Sequence, residues 1–362
     1  MTTIVIDPDP YAYSKAIATA FEVVKADDYE GTCRVVDKYN IQAIITTATD
    51  KPLLMMARIA AKYDFPFFSE ETAIVSTDKY LMKERFIRSR IPCAKGALID
   101  KPTINFEYPL IIKPRDNSGS RGVLLCNNKA DLENAFHEAI ECTQKKTLLI
   151  EEFIDGKEYS IEALHFNGKS QVIQITEKLI TEAPYNVELG HIQPADLTET
   201  AEDVIASIIQ RIADALGFIH CASHTELKTG SKGTFIIETS PRMGGDYITS
   251  VLVPLSTGIN IENAAIDIAY GIKPELPTSE KRASMIRYLQ LSQGIVRKIN
   301  PSVGLSDGII YCCNLKPGSV IPRIASSLDR YGYIIASGAN RNEVLTKMNT
   351  IYNRILETFT IE

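Results

Sequence analysis

The hydrophobic period of this chain changes partway along, and that change limits the folds open to it. Up to Pro92, short apolar runs alternate with helix-period segments, as βαβ units on a parallel sheet do. Ile4 to Ile6 is expected as a strand closed by Asp7-Pro8-Asp9-Pro10. Ile41 to Thr46 is expected as another, followed by a helix carrying Leu53, Leu54, Ala57, Ile59 and Ala60. Thr77 and Asp78 can cap a helix holding Leu81, Met82, Phe86 and Ile87. Beyond Pro92 the pattern becomes antiparallel, with strands at Leu110 to Lys113, Gly122 to Cys126 and Leu148 to Ile154. Glu158 to Phe166 and Gln171 to Leu179 flank Asn167-Gly168, a strong hairpin signal. Val204 to Leu216 has a helical apolar face stopped by Gly217. Tyr288 to Ile299 and Ile309 to Asn314 read as strands, Ser319 to Ile335 as strand-rich, and Arg341 to Thr358 as a final helix.

A chain of 362 residues is longer than one core usually fills. Pro274, Pro277 and the polar run 278–282 suggest a boundary. The expected fold class is an α/β N-terminal domain over 1–77, an α+β region over 78–273 and a small C-terminal α+β domain over 274–362. No apolar run reaches bilayer length, and the first residues lack a secretory pattern. Seven cysteines without ligand-like spacing point to a reducing compartment, so a cytoplasmic address and no membrane partner are expected. The net charge of −6, with no basic block, disfavours nucleic acid as a partner.

The carboxylates Glu226 and Glu238 lie symmetrically about position 232, inside the turn Thr229-Gly230-Ser231-Lys232-Gly233. A hairpin folded there makes them cross-strand partners, which is destabilising unless a cation lies between them. Ser240 and Arg242 follow at period two and would share that face if the strand persists. A metal pair, a hydroxyl and a guanidinium on one face would handle phosphate, whereas an isolated hairpin of this kind can equally be a solvated outer face.

Two further elements are weaker. Lys113 ends an apolar strand and precedes a loop containing Ser118, Gly119, Ser120 and Gly122, whose small residues let backbone N–H groups approach phosphates. It lacks the Walker A ending, and a plain flexible loop fits it as well. The strand Glu151-Glu152-Phe153-Ile154 could present backbone to a flat base, with Glu158 accepting from a ribose, or could simply be core.

In this order, Lys79 in a capped helix, Lys113 before its loop, the Glu-Glu-Phe-Ile strand with Glu158, and Glu226, Glu238 and Arg242 within HTELKTGSKGTFIIETSPRMGGD resemble the ATP-grasp family. The resemblance runs from about Thr77 to Gly271. The flanks resemble its carboxylate–amine ligase branch, in an arrangement similar to L-amino-acid ligases and biotin carboxylases. It implies ATP bound between two subdomains and an acylphosphate formed on a carboxylate, then attacked by an amine. It further implies that Lys79 and Lys113 contact phosphates, that 118–122 is a closing loop and that Glu151 to Ile154 is the adenine hinge. Glu158 is then the ribose ligand, Glu226 and Glu238 are Mg²⁺ ligands with Mn²⁺ as the alternative ion, and Arg242 steadies the acylphosphate.

Ser240 stands where the family commonly has Asn, which leaves the second metal's coordination open. Lys178 in ITEKLIT and His191 in ELGHIQP fall where the amino-acid ligases place substrate-facing residues, although His191 before Gln-Pro also suits a turn. His165, His220 and His224 are expected as hydrogen-bonded core or edge residues, and Gly244-Gly245 would let a substrate approach closely. Family members usually begin with a strand, loop and helix before a strand ending like Asp7, so the first βα unit is expected to be missing. The expected function is an ATP-dependent ligase joining a small carboxylate, an amino acid foremost, to an amine, acting as a homodimer. A bicarbonate-using carboxyphosphate or carbamoyl-phosphate enzyme and a non-catalytic nucleotide-binding protein are the alternatives.

Overall fold

Parallel strand pairing at the start of the chain is confined to two short strands, and every other strand pairing among the described residues is antiparallel, with one isolated parallel bridge between Cys93 and Ile236. The computed structural model describes residues 1–181, 187–300, 308–324 and 326–362. Strand β1 (Ile4–Asp7) pairs with β2 (Ala20–Val23) across a link holding only one 3₁₀ turn. Helices α1 (Tyr29–Tyr39) and α2 (Leu53–Tyr63) follow. The strand expected over Ile41 to Thr46 does not form. Ile41 and Ile44 instead pack on Cys33, Val36, Met55 and Ile59 between the two helices. Apolar, β-branched residues made the segment look like a strand, but burial against helices satisfied them without a ladder.

Helices α3 (Glu70–Thr77) and α4 (Lys79–Arg88) meet at Asp78, whose carboxylate accepts from the backbone N–H groups of Tyr80 and Leu81 at 3.0 and 3.3 Å. Next come β3 (Gly96–Ile99), β4 (Leu110–Lys113), β5 (Leu124–Cys126), α5 (Lys129–Ile140) and β6 (Leu148–Glu152). These strands form a four-stranded sheet in the order β3-β6-β4-β5, with α5 buried against it through Leu132, Ala135, Phe136 and Ala139.

Strands β7 (Lys157–Phe166), β8 (Lys169–Ile180) and β9 (Glu188–Gln193) precede α6 (Glu199–Leu216). Helix α6 is capped by Thr198 and buries Ile205, Ile208, Ile209, Ile212 and Leu216 against the sheet, ending at Gly217 with φ 79°. The hairpin β10 (His220–Gly230) and β11 (Gly233–Ser240) leads to a π-helical turn at Ile248–Leu252, α7 (Val253–Thr257) and α8 (Ile261–Ala269). The remaining elements are β12 (Ala283–Tyr288), β13 (Gly294–Ile299), β14 (Ile309–Cys313), β15 (Val320–Ile321), β16 (Gly332–Gly338), α9 (Arg341–Leu356) and β17 (Phe359–Ile361).

One eight-stranded sheet, ordered β11-β10-β7-β8-β9-β12-β16-β14, runs across the boundary expected near 274. The single strand expected from Tyr288 to Ile299 is split. β12 ends at Tyr288, and the chain bends to Gly294, where φ is 149° and a Cβ would meet the Glu362 carbonyl. From there β13 joins β15 and β17 in a separate three-stranded sheet. No helix among the described residues is long and apolar enough to cross a membrane.

His165 on β7 is fully buried, bonded to the Ser170 and Ser223 hydroxyls at 2.9 and 2.7 Å and edge-on to Phe218. Burial pushes its pKa down from 6.5 to about 3. Between those values the unfolded chain binds a proton that the folded chain refuses, so this contribution to stability is intact above the unfolded value and declines as pH falls. From pH 7 to pH 5 the loss attributable to His165 is about 2 kcal/mol. Urea unfolding of the wild type and of His165→Gln at both pH values checks this, since equal pH sensitivity in the two proteins would contradict it.

Candidate active site

The site begins with the start of α4. The Lys79 backbone N–H donates to the Arg115 carbonyl at 2.9 Å, and Arg115 returns its guanidinium to Asp78 at 2.6 Å. The cap thereby ties Lys79 to the segment just after Lys113, two residues beyond the end of β4. Lys113 is buried and pairs with Glu151 Oε2 at 2.6 Å, while Lys83 takes Glu151 Oε1 at 2.7 Å. Burial pushes the Glu151 carboxyl up, but Lys113 and Lys83 outweigh it and hold the group below its usual range. The Glu151 side chain therefore serves the lysines rather than a base.

From there the segment expected as the hinge runs along one wall of a cleft lined by Glu151, Glu152, Phe153, Ile154 and Glu158. The Glu152 carboxylate accepts from the Lys95 N–H at 2.9 Å, and the Phe153 N–H donates to the Pro109 carbonyl. Ser118, Gly119 and Ser120 face the same cleft. Gly119, Ser120 and Gly122 all have positive φ, at 68°, 57° and 73°, which suits a tight turn; Gly122 itself does not line the cleft and packs against Cys142 and Pro114.

The facing carboxylates fall as expected, Glu226 opposite Glu238 and His224 opposite Ser240. Lys79 Nζ reaches Glu238 at 2.5 Å, and Lys178 Nζ lies 3.0 Å from Glu226, 3.2 Å from Glu188 and 3.7 Å from Glu158. Burial alone would lower the Lys178 pKa, but the three carboxylates raise it well above its ordinary value. Burial likewise opposes the Glu226 charge, and Lys178 with His224 holds that carboxyl well below the usual range. Lys228 takes the other oxygen of Glu158 at 3.0 Å and lies over the Phe153 ring at 5.0 Å. Lys79, Lys113, Lys178, Glu226 and Glu238 all line the same cleft.

Two carboxylates with lysines around them fit a Mg²⁺ that completes its shell with phosphate oxygens and water, as that ion prefers.

Ser240 and Arg242 do not line this cleft beside the carboxylate pair, although Arg242 lies close enough to Glu238 to feel its charge. The Ser240 hydroxyl donates to Asp50 Oδ1 at 2.6 Å and Arg242 Nε to the same oxygen at 2.8 Å, just beyond the end of β11. His191 stands opposite Lys178 on the neighbouring strand, yet its Nε2 faces Asp246 at 3.3 Å while Nδ1 is buried without a partner. Asp246 is held by Arg330 at 2.7 Å on each oxygen.

His224 is buried and hydrogen-bonded, as expected of a core or edge residue, but its place on the carboxylate face, bridging Glu162 and Glu226, was not foreseen; its pKa rises to about 9 because these carboxylates outweigh burial. Extending the period-two count one step back from Glu226 would have found it. Lys83, Asp50 and Arg330 carry no local signal, since their partners come from remote parts of the chain, whereas Glu188 meets Lys178 from the adjacent strand ten positions away.

Residues 106–250 match the family described as ATP-grasp domain. An uncharacterised protein of Sinorhizobium fredii is 24% identical over 98% of this chain and 76% of its own length. D-alanine–D-alanine ligase of Pediococcus pentosaceus is 23% identical, covering 54% of this chain and 58% of that enzyme. The crystal structure of an L-amino acid ligase from Bacillus licheniformis superposes with a TM-score of 0.75 at 18% identity, covering 95% of this chain and 88% of that one, a likeness of fold.

Proposed function

We propose that this chain, which carries an ATP-grasp domain, is an ATP-dependent carboxylate–amine ligase whose carboxylate substrate is a small one, an amino acid foremost. The observation that carries the reading is the pairing of Glu226 with Glu238 on a cleft that also holds Lys79, Lys113 and Lys178. Phosphoryl transfer needs charge neutralised and groups positioned more than it needs covalent help.

In this reading Lys113 and Lys79 bind the phosphates, residues 118–122 close over them, and 152–154 with Glu158 hold the nucleoside. Glu226 and Glu238 hold Mg²⁺, which when bound neutralises phosphate charge. Lys178 remains an ammonium and acts as a fixed positive charge beside the transferred group. A carboxylate oxygen of the substrate attacks the γ-phosphorus and ADP departs. The amine then attacks the acyl carbon, phosphate leaves, and the proton released from nitrogen departs with it or passes to water. Arg242, oriented by Asp50, stabilises the negative charge on the acyl oxygens, and His191 orients Asp246 beside the acceptor.

Release of ADP should depend on particular amino acids, and hydroxylamine should trap the acylphosphate as a hydroxamate. Release that depends on bicarbonate instead would favour the carboxyphosphate reading, and nucleotide binding without turnover across a broad acid and amine panel would favour the non-catalytic one.

A further inference from the structure

Beyond Arg242 lies a second cavity of about 430 Å³, within the size range of small-molecule sites. Its wall includes Gly244, Gly245, Asp246 and Tyr247, which directly follow the Arg242 segment, and it is distinct from the cleft of the carboxylate pair. The charges on that wall do not balance. Asp246 and Arg330 cancel in a two-pronged ion pair, and the Arg330 guanidinium also stacks over Tyr288 at 3.9 Å. Glu262, half-buried in the first turn of α8, makes no hydrogen bond or ion pair with any described residue. The cavity therefore presents one unpartnered carboxylate.

The apolar part of the wall is aromatic. The rings of Tyr247 and Tyr333 lie 4.6 Å apart, and Tyr288 meets Tyr333 edge-on at 6.3 Å. Tyr247 is brought there by two consecutive left-handed residues, Asp246 at φ 53° and Tyr247 at φ 62°. Non-glycine residues hold that conformation only where their surroundings enforce it. The Arg330 and His191 contacts to Asp246 supply that restraint.

We propose that this cavity takes a substrate bearing an ammonium group on an apolar or aromatic body, with Glu262 pairing the ammonium and the tyrosine rings receiving the body. That the occupant is a substrate rests on the ligase reading; the chemistry of recognition does not. An ammonium gains from the free carboxylate and from the ring faces, whereas an anionic side chain meets Glu262 with no cation to offset it. Glu262 also lies where an acid stabilises the first turn of a helix, a role that would leave ligand binding untouched when it is replaced.

The test uses the full chain without nucleotide and two probes, phenethylamine and 3-phenylpropionate, with binding followed by ligand-observed NMR. Phenethylamine should bind saturably and 3-phenylpropionate at least about tenfold more weakly. Glu262→Gln should weaken phenethylamine about tenfold or more, the worth of one charged hydrogen bond. Tyr247→Ala should weaken it as well. Equal binding of the two probes, or an unchanged Kd in Glu262→Gln, overturns the proposal. Amino-acid-dependent ADP release measured on the same preparation reads the ligase assignment separately, so its absence with phenethylamine binding intact would count against that assignment alone.

Discussion

Glu238→Gln should lower substrate-dependent ADP release by roughly a thousandfold, the scale of losing one preorganised charge at a phosphoryl-transfer site. The substitution keeps the size of the side chain and its place opposite Glu226, so the hairpin has no reason to rearrange. What changes is the charge. Lys79, now 2.5 Å from that carboxylate, loses its partner, and in the proposed reading Mg²⁺ would lose one of its two facing oxygen donors. Nucleotide should still bind through Lys113 and the hinge, and raising Mg²⁺ should restore only part of the rate. Steady-state ADP release across a Mg²⁺ titration, with nucleotide affinity measured alongside, makes the comparison. Full activity in the variant would remove the metal assignment.

Glu151→Gln is the change with the largest expected cost to folding, about 3–5 kcal/mol, because it strands two buried lysines without a counter-charge. Glutamine fills the same space, so no cavity contributes and the loss is electrostatic. Urea denaturation measures it. A companion variant in which Lys83→Met accompanies Glu151→Gln should recover part of the loss, since one uncompensated ammonium is then gone. A midpoint unchanged in Glu151→Gln would mean that water already reaches the two ammonium groups.

Residues near each other in sequence carried most of what could be foreseen. The carboxylate pair was legible because a glycine-flanked turn fixes a hairpin, although its centre at 232 holds only through an irregularity. Gly230 faces Gly233 at the turn, and an extra residue on β11 shifts the register between Leu227 and Glu226, bringing Glu226 back opposite Glu238. Residues 4–7, 110–113 and 157–166 formed strands near their expected bounds, and a hairpin turned where expected near 232, because alternation and turn residues agreed there. The segment 41–46 misled because β-branched residues report a need for burial, not for a ladder. Asp50 and Arg330 could not be found in advance, since each owes its role to a partner that only the tertiary fold brings near. Asp50 and Arg242 are 192 positions apart.

The large sheet also decides what a shortened form of this chain would be. Gly190, His191, Ile192 and Gln193 of β9 are paired with β12 at Arg287, Ile286, Met285 and Ser284. A product ending near 274 would keep both candidate carboxylates and their cleft. It would also turn β9 from an interior strand into an open edge, with unmatched N–H and C=O groups available to any neighbouring chain. Arg330 would be gone, leaving Asp246 without its clamp, and Ile192 would lose the apolar cluster built from Met285, Ile334 and α9. The C-terminal segment is thus the seal on the eight-stranded sheet, and cutting at the proline-rich stretch would leave a form with a strand edge open to self-association.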